Sequence, residues 1–169
     1  MKTTIFDTLP STNEELKKLK NPTEDQLYIA RVQTGGKGSK GRSFICEKGG
    51  VYASLLRLNP CKASDSFKIM IGAAVAVVKT LAAFDVNAEI KWPNDIYVGE
   101  DKICGILIES SIKGGRITRC VAGIGLNVNQ EEFESWIPNP TSIRNETGEE
   151  TDLAQLLDET MHNLYKYYT

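Results

Sequence analysis

The hydrophobic pattern changes period several times along the chain, and each change marks an element. Lys2 to Asp7 opens directly as strand-like sequence. Ser11-Thr12-Asn13-Glu14-Glu15-Leu16 reads as a helix start, a hydroxyl followed by Glu and then by apolar Leu16 and Leu19. Leu27 to Gln33 and the Val-, Tyr- and Leu-rich run Val51 to Leu58 read as strands. From Ser66 to Phe84 the spacing is helical, with Ile69, Ala73, Ala76, Val77, Thr80 and Leu81 recurring on one face. Strands are predicted next at Ala88 to Lys91, Ile96 to Val98 and Ile103 to Glu109. A Gly114-Gly115 turn leads into another at Arg116 to Asn129. Thr151 to Tyr168 closes the pattern as an amphipathic helix with Leu153, Leu156, Leu157, Met161 and Leu164 on one side. Consecutive strands joined by tight turns predict an α+β fold, a mixed, largely antiparallel sheet flanked by helices. No repeat or linker divides it, so one domain over residues 1–169 is expected.

Composition narrows the function classes. A chain of 169 residues with 41% hydrophobic content can bury one proper core. Its formal charge of -2 gives no reason to expect nucleic acid or a polyanionic partner. Cys46, Cys61, Cys104 and Cys120 form no CxxC pair, and His162 stands alone, so reduced, mostly buried thiols are expected and no zinc site. No signal peptide opens the chain, and the apolar segment Ile69 to Phe84 contains Lys79 and falls short of a bilayer span. A cytoplasmic protein without membrane attachment is the resulting expectation.

One stretch is hard to explain as packing. Lys91-Trp92-Pro93-Asn94-Asp95 sets a cation, an aromatic-proline corner, an amide and a carboxylate side by side, with Lys102 and Gly105 shortly after. Proline lacks a ladder donor, so the cluster is expected where a strand is interrupted.

A second stretch imitates two phosphate-binding motifs. Gly36-Lys37-Gly38-Ser39-Lys40-Gly41 spells GxGxxG, and Gly36 to Ser43 misses the P-loop pattern only by Arg42. Both motifs need a helix immediately after the loop, because the phosphate rests on its N-terminus. Here Ser43-Phe44-Ile45-Cys46 and a glycine turn follow, then a strand, so both motifs are rejected. What survives is a flexible backbone with three cations, Lys37, Lys40 and Arg42, suited to an anionic ligand. A solvated surface loop is the plain alternative.

Taken together the segments resemble the catalytic domain of biotin protein ligases. The resemblance is carried by Ser11-Thr12-Asn13, Gln33 with its glycine-basic loop, Gly49-Gly50-Val51-Tyr52-Ala53-Ser54 and the Lys91 to Asp95 run. Lys102 to Glu109, Gly123-Ile124-Gly125-Leu126-Asn127-Val128-Asn129 and Pro140-Thr141-Ser142-Ile143 extend it over nearly the whole chain. It implies a class II aminoacyl-tRNA-synthetase-like, biotin/lipoate ligase fold. It also implies a two-step reaction with ATP, biotin and Mg²⁺: formation of biotinyl-5'-AMP, then transfer to a lysine of a biotin carboxyl carrier domain. Lipoate-type ligation and a degenerate module that binds biotin or carrier without turnover are the alternatives. The oligomer, monomer or homodimer, stays open.

The resemblance also distributes roles. Lys102 is the expected catalytic cation, placed between biotin carboxylate and α-phosphate, with an exposed turn lysine as the alternative. Asp95 is expected to orient or deprotonate the incoming amine, or else to pair with Lys91 or cap a turn. Biotin is assigned to Ser11, Thr12, Asn13 and Gln33, whose neutral hydroxyls and amides match a ureido ring, and to Lys37, Gly38, Ser39, Lys102 and Gly105. Ser11 or Thr12 also suits ordinary helix capping. The nucleotide is assigned to Lys40, Arg42, Lys91, Trp92, Asn94, Asn127 and Asn129, and no metal ligand is assigned. The chain departs from the family pattern in its loop, where Lys37, Ser39 and Lys40 occupy three positions usually held by arginine. It is also expected to lack the small C-terminal β domain and an N-terminal DNA-binding segment.

Overall fold

The protein was studied as a computed structural model that describes residues 1–168. Seven strands follow the predicted order: β1 (Lys2–Leu9), β2 (Gln26–Gln33), β3 (Val51–Leu58), β4 (Glu89–Lys91), β5 (Asp95–Val98), β6 (Asp101–Lys113) and β7 (Arg116–Leu126). Helices α1 (Thr12–Lys18), α2 (Ser66–Ala83), α3 (Ile143–Thr147) and α4 (Leu153–Tyr168) lie between and after them. They build one sheet in the order β1-β2-β3-β7-β6-β5-β4. Only β1 and β2 run parallel among these neighbours, and the other pairs are antiparallel. The sheet is therefore mixed and largely antiparallel.

Local chemistry explains where the elements stop. Ser11 caps α1 through its hydroxyl, which accepts from the Glu14 amide. Trp92 to Asn94 close the β4–β5 hairpin, in which Lys91 faces Asp95, so the proline sits outside the ladder. The short helix α3 had no apolar period to announce it. It rests on a Ser142 cap and on Gly148, whose φ of 78° ends the turn. The expected strand Arg116 to Asn129 ends early, at Leu126.

The sheet faces carry different loads. One face packs against α2 and α4, burying Ile69, Val77 and Leu81 with Ile106, Ile124, Leu126, Leu156 and Leu164. Each such side chain contributes about 1.5–3 kcal/mol by burial. Gly72 lets α2 approach α4, since a Cβ there would lie 2.4 Å from the Tyr167 carbonyl oxygen. The helical run including the preceding turn spans 21 residues at mean hydropathy 1.6, long and apolar enough to cross a bilayer. The estimate from Ile69 was short because the run begins at Ala63. In the fold its buried side chains face the sheet and α4.

On the other face α1 covers only a small patch, Leu16 against Leu56 and Val121. The Arg119 guanidinium donates to the Leu16 and Leu19 carbonyls and satisfies the end of α1. The rest of this face stays open.

Candidate active site

The open face has a floor of glycine. Gly123 and Gly125 alternate on β7, and register places Leu107 and Ser54 beside the first, Gly105 and Tyr52 beside the second. Asp95 lies across from Gly105. Side chains at the glycines would fill the space: a Cβ at Gly125 would meet the Phe44 ring at 2.6 Å, and one at Gly123 would meet Asn13 Oδ1 at 2.3 Å. The result is a cavity of about 520 Å³, within the ordinary range for a small-molecule site.

One group of its lining residues is neutral and polar. Gln33 Oε1 accepts from the Thr12 amide at 2.7 Å and the Thr12 hydroxyl at 2.9 Å. Thr12 Oγ1 also lies 2.6 Å from Ser54 Oγ, and Ser54 donates to Asn13 Oδ1. Asn13 Nδ2 donates to Glu109 Oε2 at 2.9 Å. Ser11, Thr12, Asn13 and Gln33 are thus brought together, though they come from α1 and β2. Ser54, Glu109 and Cys46 were not expected here. Cys46 accepts from Gln33 Nε2 at 2.9 Å, and burial pushes its thiol up to about 11. Ser54 and Glu109 close two of the segments that carry the resemblance, but only the sheet register brings them to Asn13.

Elsewhere along the cavity stands an ion pair. Lys102 Nζ lies 2.9 Å from Asp95 Oδ1 and 5.8 Å from the centre of the Phe44 ring. Asp95 Oδ1 is buried and has no other polar partner among the described residues. Lys91, although opposite Asp95 in the hairpin, sends its ammonium over the Tyr97 ring at 4.2 Å. Asn94, Asn127 and Gly105 line the cavity with Lys102. Trp92 is 60% exposed, and neither it nor Lys91 lines the cavity.

The glycine loop is a hairpin closed on itself, with bridges Gln33–Cys46 and Lys37–Ser43. Gly36 is required by close approach: a Cβ would sit 2.4 Å from the Phe44 carbonyl oxygen. A single 3₁₀ turn at Ser39–Gly41 is all the helix it contains, with Lys40 at φ 57°. Lys37, Gly38, Ser39 and Arg42 reach the cavity wall; Lys40 does not. Lys37 also pairs with Glu14 at 3.1 Å. Glu14 binds Lys17, which reaches Glu109, so a chain of charges ties the loop to the polar group. Lys17 first, then Lys37, hold the Glu14 carboxyl below its usual range.

Two further points separate structure from expectation. Asn129 faces Thr151, donating to its carbonyl and accepting from its amide, both at 2.8 Å, and lies outside the cavity. The segment after it supplies an unexpected wall through Phe133, Trp136, Ile137 and Pro140. Among the described residues no group of three or more His, Cys, Asp or Glu side chains could hold a metal ion.

A sequence profile of the biotin/lipoate A/B protein ligase family matches residues 5–127. The chain belongs to this family. Among curated relatives, the bifunctional ligase/repressor BirA of Bacillus spizizenii is 32% identical, over 96% of this chain and 52% of that protein. The biotin--[acetyl-CoA-carboxylase] ligase of Paracoccus denitrificans is 31% identical, over 88% of this chain and 65% of its own. The chain thus spans about half to two thirds of these relatives' length. Among solved structures, the biotin protein ligase of Aquifex aeolicus in complex with biotin and ATP aligns with a TM-score of 0.85. It is 28% identical, covering 98% of this chain and 69% of that one. A lipoate protein ligase of Thermoplasma acidophilum, 11% identical at TM-score 0.66, shares the fold alone.

Proposed function

We propose that this chain carries the catalytic centre of a biotin protein ligase. It would join biotin to ATP as biotinyl-5'-AMP and pass the biotinyl group to a carrier-domain lysine of a biotin-dependent carboxylase. The observation that carries this reading is a single glycine-floored cavity with two chemically distinct regions. Neutral donors and acceptors from Ser11, Thr12, Asn13 and Gln33 line one part, and the Lys102–Asp95 pair lines another. Biotin has the same division, a neutral ureido ring and a carboxylate. The membership of the family and the biotin ligases among its relatives support the choice of acid.

The chemistry follows from the pair. In the first step a biotin carboxylate oxygen bonds to the α-phosphorus, the bond to the β-phosphate oxygen breaks, and pyrophosphate leaves. Two anions must meet, and the Lys102 ammonium relieves their repulsion while offsetting charge on the non-bridging oxygens. Such a preorganised donor contributes roughly 3–4 kcal/mol. In the second step the amine nitrogen bonds to the acyl carbon, the mixed-anhydride C–O bond breaks, and AMP leaves. As Lys102 turns to the ligand, Asp95 becomes available to orient the amine or accept its proton. Arg42 and Lys37 on the loop supply charge for the phosphates. Mg²⁺ would accompany ATP; among the described residues the donor set forms no cage for it, so no step runs through the metal.

The test is biotin-dependent exchange of pyrophosphate into ATP, with the chain and with Lys102→Ala. The expected outcome is exchange that drops at least a hundredfold in the variant while biotin still binds. Persistent exchange would remove Lys102 from the mechanism. No exchange in the unmutated chain would point to a binding module.

A further inference from the structure

The hydrogen bonds around Asn127 determine which way its side-chain amide faces. The Val128 backbone N–H can only donate, and it donates to Gln130 Oε1 at 2.8 Å. That contact separates the oxygen of Gln130 from its nitrogen. Gln130 Nε2 then donates to Asn127 Oδ1 at 3.1 Å and to the Tyr52 hydroxyl at 3.2 Å. Tyr52 commits its own proton to the Glu47 carbonyl at 2.6 Å, so its oxygen is the acceptor of the Gln130 bond. Burial pushes the Tyr52 hydroxyl up, which keeps that proton in place. Every member of the relay has one allowed polarity.

Both Gln130 and Asn127 line the cavity, and Asn127 carries the donor at its end of the relay. Its backbone amide donates to Ile103 at 2.9 Å and its carbonyl accepts from Ile143, which anchors it beside β6. It is only 8% exposed and lines the cavity. With Oδ1 engaged by Gln130, Nδ2 has no partner among the described residues. The group offered to a ligand is a neutral donor. A phosphate would find better partners in Lys102, Lys37 and Arg42, which line the same cavity. A neutral donor held in a mostly buried position suits a neutral heteroaromatic acceptor instead.

We propose that Gln130 is a positioning residue that holds the Asn127 amide as a donor toward a ring nitrogen of the bound nucleotide's purine. The proposal rests on the adenylate-forming reading above and extends it to how the base is selected. Specificity would follow from leaving a buried donor unpaired when the acceptor nitrogen is missing.

The experiment uses the whole chain and four ligands, ATP and its 1-deaza, 3-deaza and 7-deaza analogues, each lacking one ring nitrogen. Calorimetry is expected to find one analogue about tenfold weaker than ATP, the ordinary effect of one hydrogen bond. Gln130→Glu keeps the acceptor for Val128 but cannot donate to Asn127, so the amide turns over. ATP and the sensitive analogue are then expected to bind equally, both weakened alike by the carboxylate that now lines the cavity. Gln130→Met removes both contacts and is expected to bring ATP and that analogue within twofold of each other. Unchanged ratios in both variants, or three analogues equal to ATP in the unmutated chain, would overturn the proposal. Side-chain amide exchange by NMR reads the relay without any ligand. In the unmutated chain the Gln130 NH₂ is expected to be protected and the Asn127 NH₂ to exchange; in Gln130→Glu the Asn127 protons become protected. The reverse pattern in the unmutated chain sinks the relay. Failure of ATP to bind at all, with that pattern intact, sinks the nucleotide reading instead.

Discussion

Replacing Gly123 with alanine tests the polar part of the cavity with a single methyl group. The new Cβ would lie 2.3 Å from Asn13 Oδ1 and 2.9 Å from its Cγ. The β7 backbone cannot retreat, because Gly123 is paired on one side with Ser54 and on the other with Leu107. Asn13 must therefore leave its position. It then loses the bond from Ser54 and the charge-assisted bond to Glu109. A neutral bond is worth about 1 kcal/mol and one to a charged group about 1.5–3 kcal/mol. Allowing partial relaxation, about 3 kcal/mol of preorganisation is at stake, roughly a hundredfold in biotin affinity. Calorimetry with biotin on Gly123→Ala, Asn13→Ala and the double variant is the assay. The expected result is a large loss in each single variant and little added loss in the double, since the methyl then has nothing to displace. Gly123→Ala binding biotin within threefold of the unmutated chain refutes the reasoning, as does full additivity.

Other outcomes follow from the same geometry. Burial pushes the Cys46 thiol up to about 11 and that of Cys104 to about 12, from a usual 9.0. The folded chain therefore holds protons the unfolded chain has released above pH 9, and stability is expected to fall as pH rises from there through 11 and 12. Denaturant midpoints between pH 8 and 11 check the sign. At pH 8, brief alkylation followed by mass spectrometry should label half-buried Cys61 ahead of Cys46, Cys104 and Cys120. Asn129→Ala is expected to cost about 1–2 kcal/mol of stability by freeing Thr151, and a KM for ATP raised more than fivefold would return Asn129 to the nucleotide site. Lys37 and Lys40 lack the planar fork of arginine, and Ser39 has no charge. The loop is therefore expected to release biotinyl-AMP faster than an arginine-rich relative; equal retention in rapid-quench chromatography counts against this.

The sequence by itself determined most of the elements and their kinds, α3 excepted, because periodicity is a local property. The helical spacing of Ser66 to Phe84, the β-branched and aromatic runs and the glycine turns each act over a few residues. Sequence also singled out Lys102, Asp95 and Asn94, since amides and charges in a short motif stand out from packing residues, and the family resemblance added Asn127. Rejection of the P-loop was legible too, because the required helix is missing from the residues that follow.

Tertiary structure decided which residues share a site. Ser54 and Glu109 meet Asn13 only because β3, β7 and β6 adopt one register, and a register joins residues far apart in the chain. Lys91 and Asn129 show the converse. Each lies within a motif, yet an aromatic ring holds one ammonium and the Thr151 backbone just before α4 holds the other amide. Gln130 carries no motif at all, and its part in fixing Asn127 depends on hydrogen-bond polarity set by Val128 and Tyr52. Local patterns select elements through backbone preference and hydrophobic period. The direction of a donor is set by partners that arrive only when the sheet is assembled.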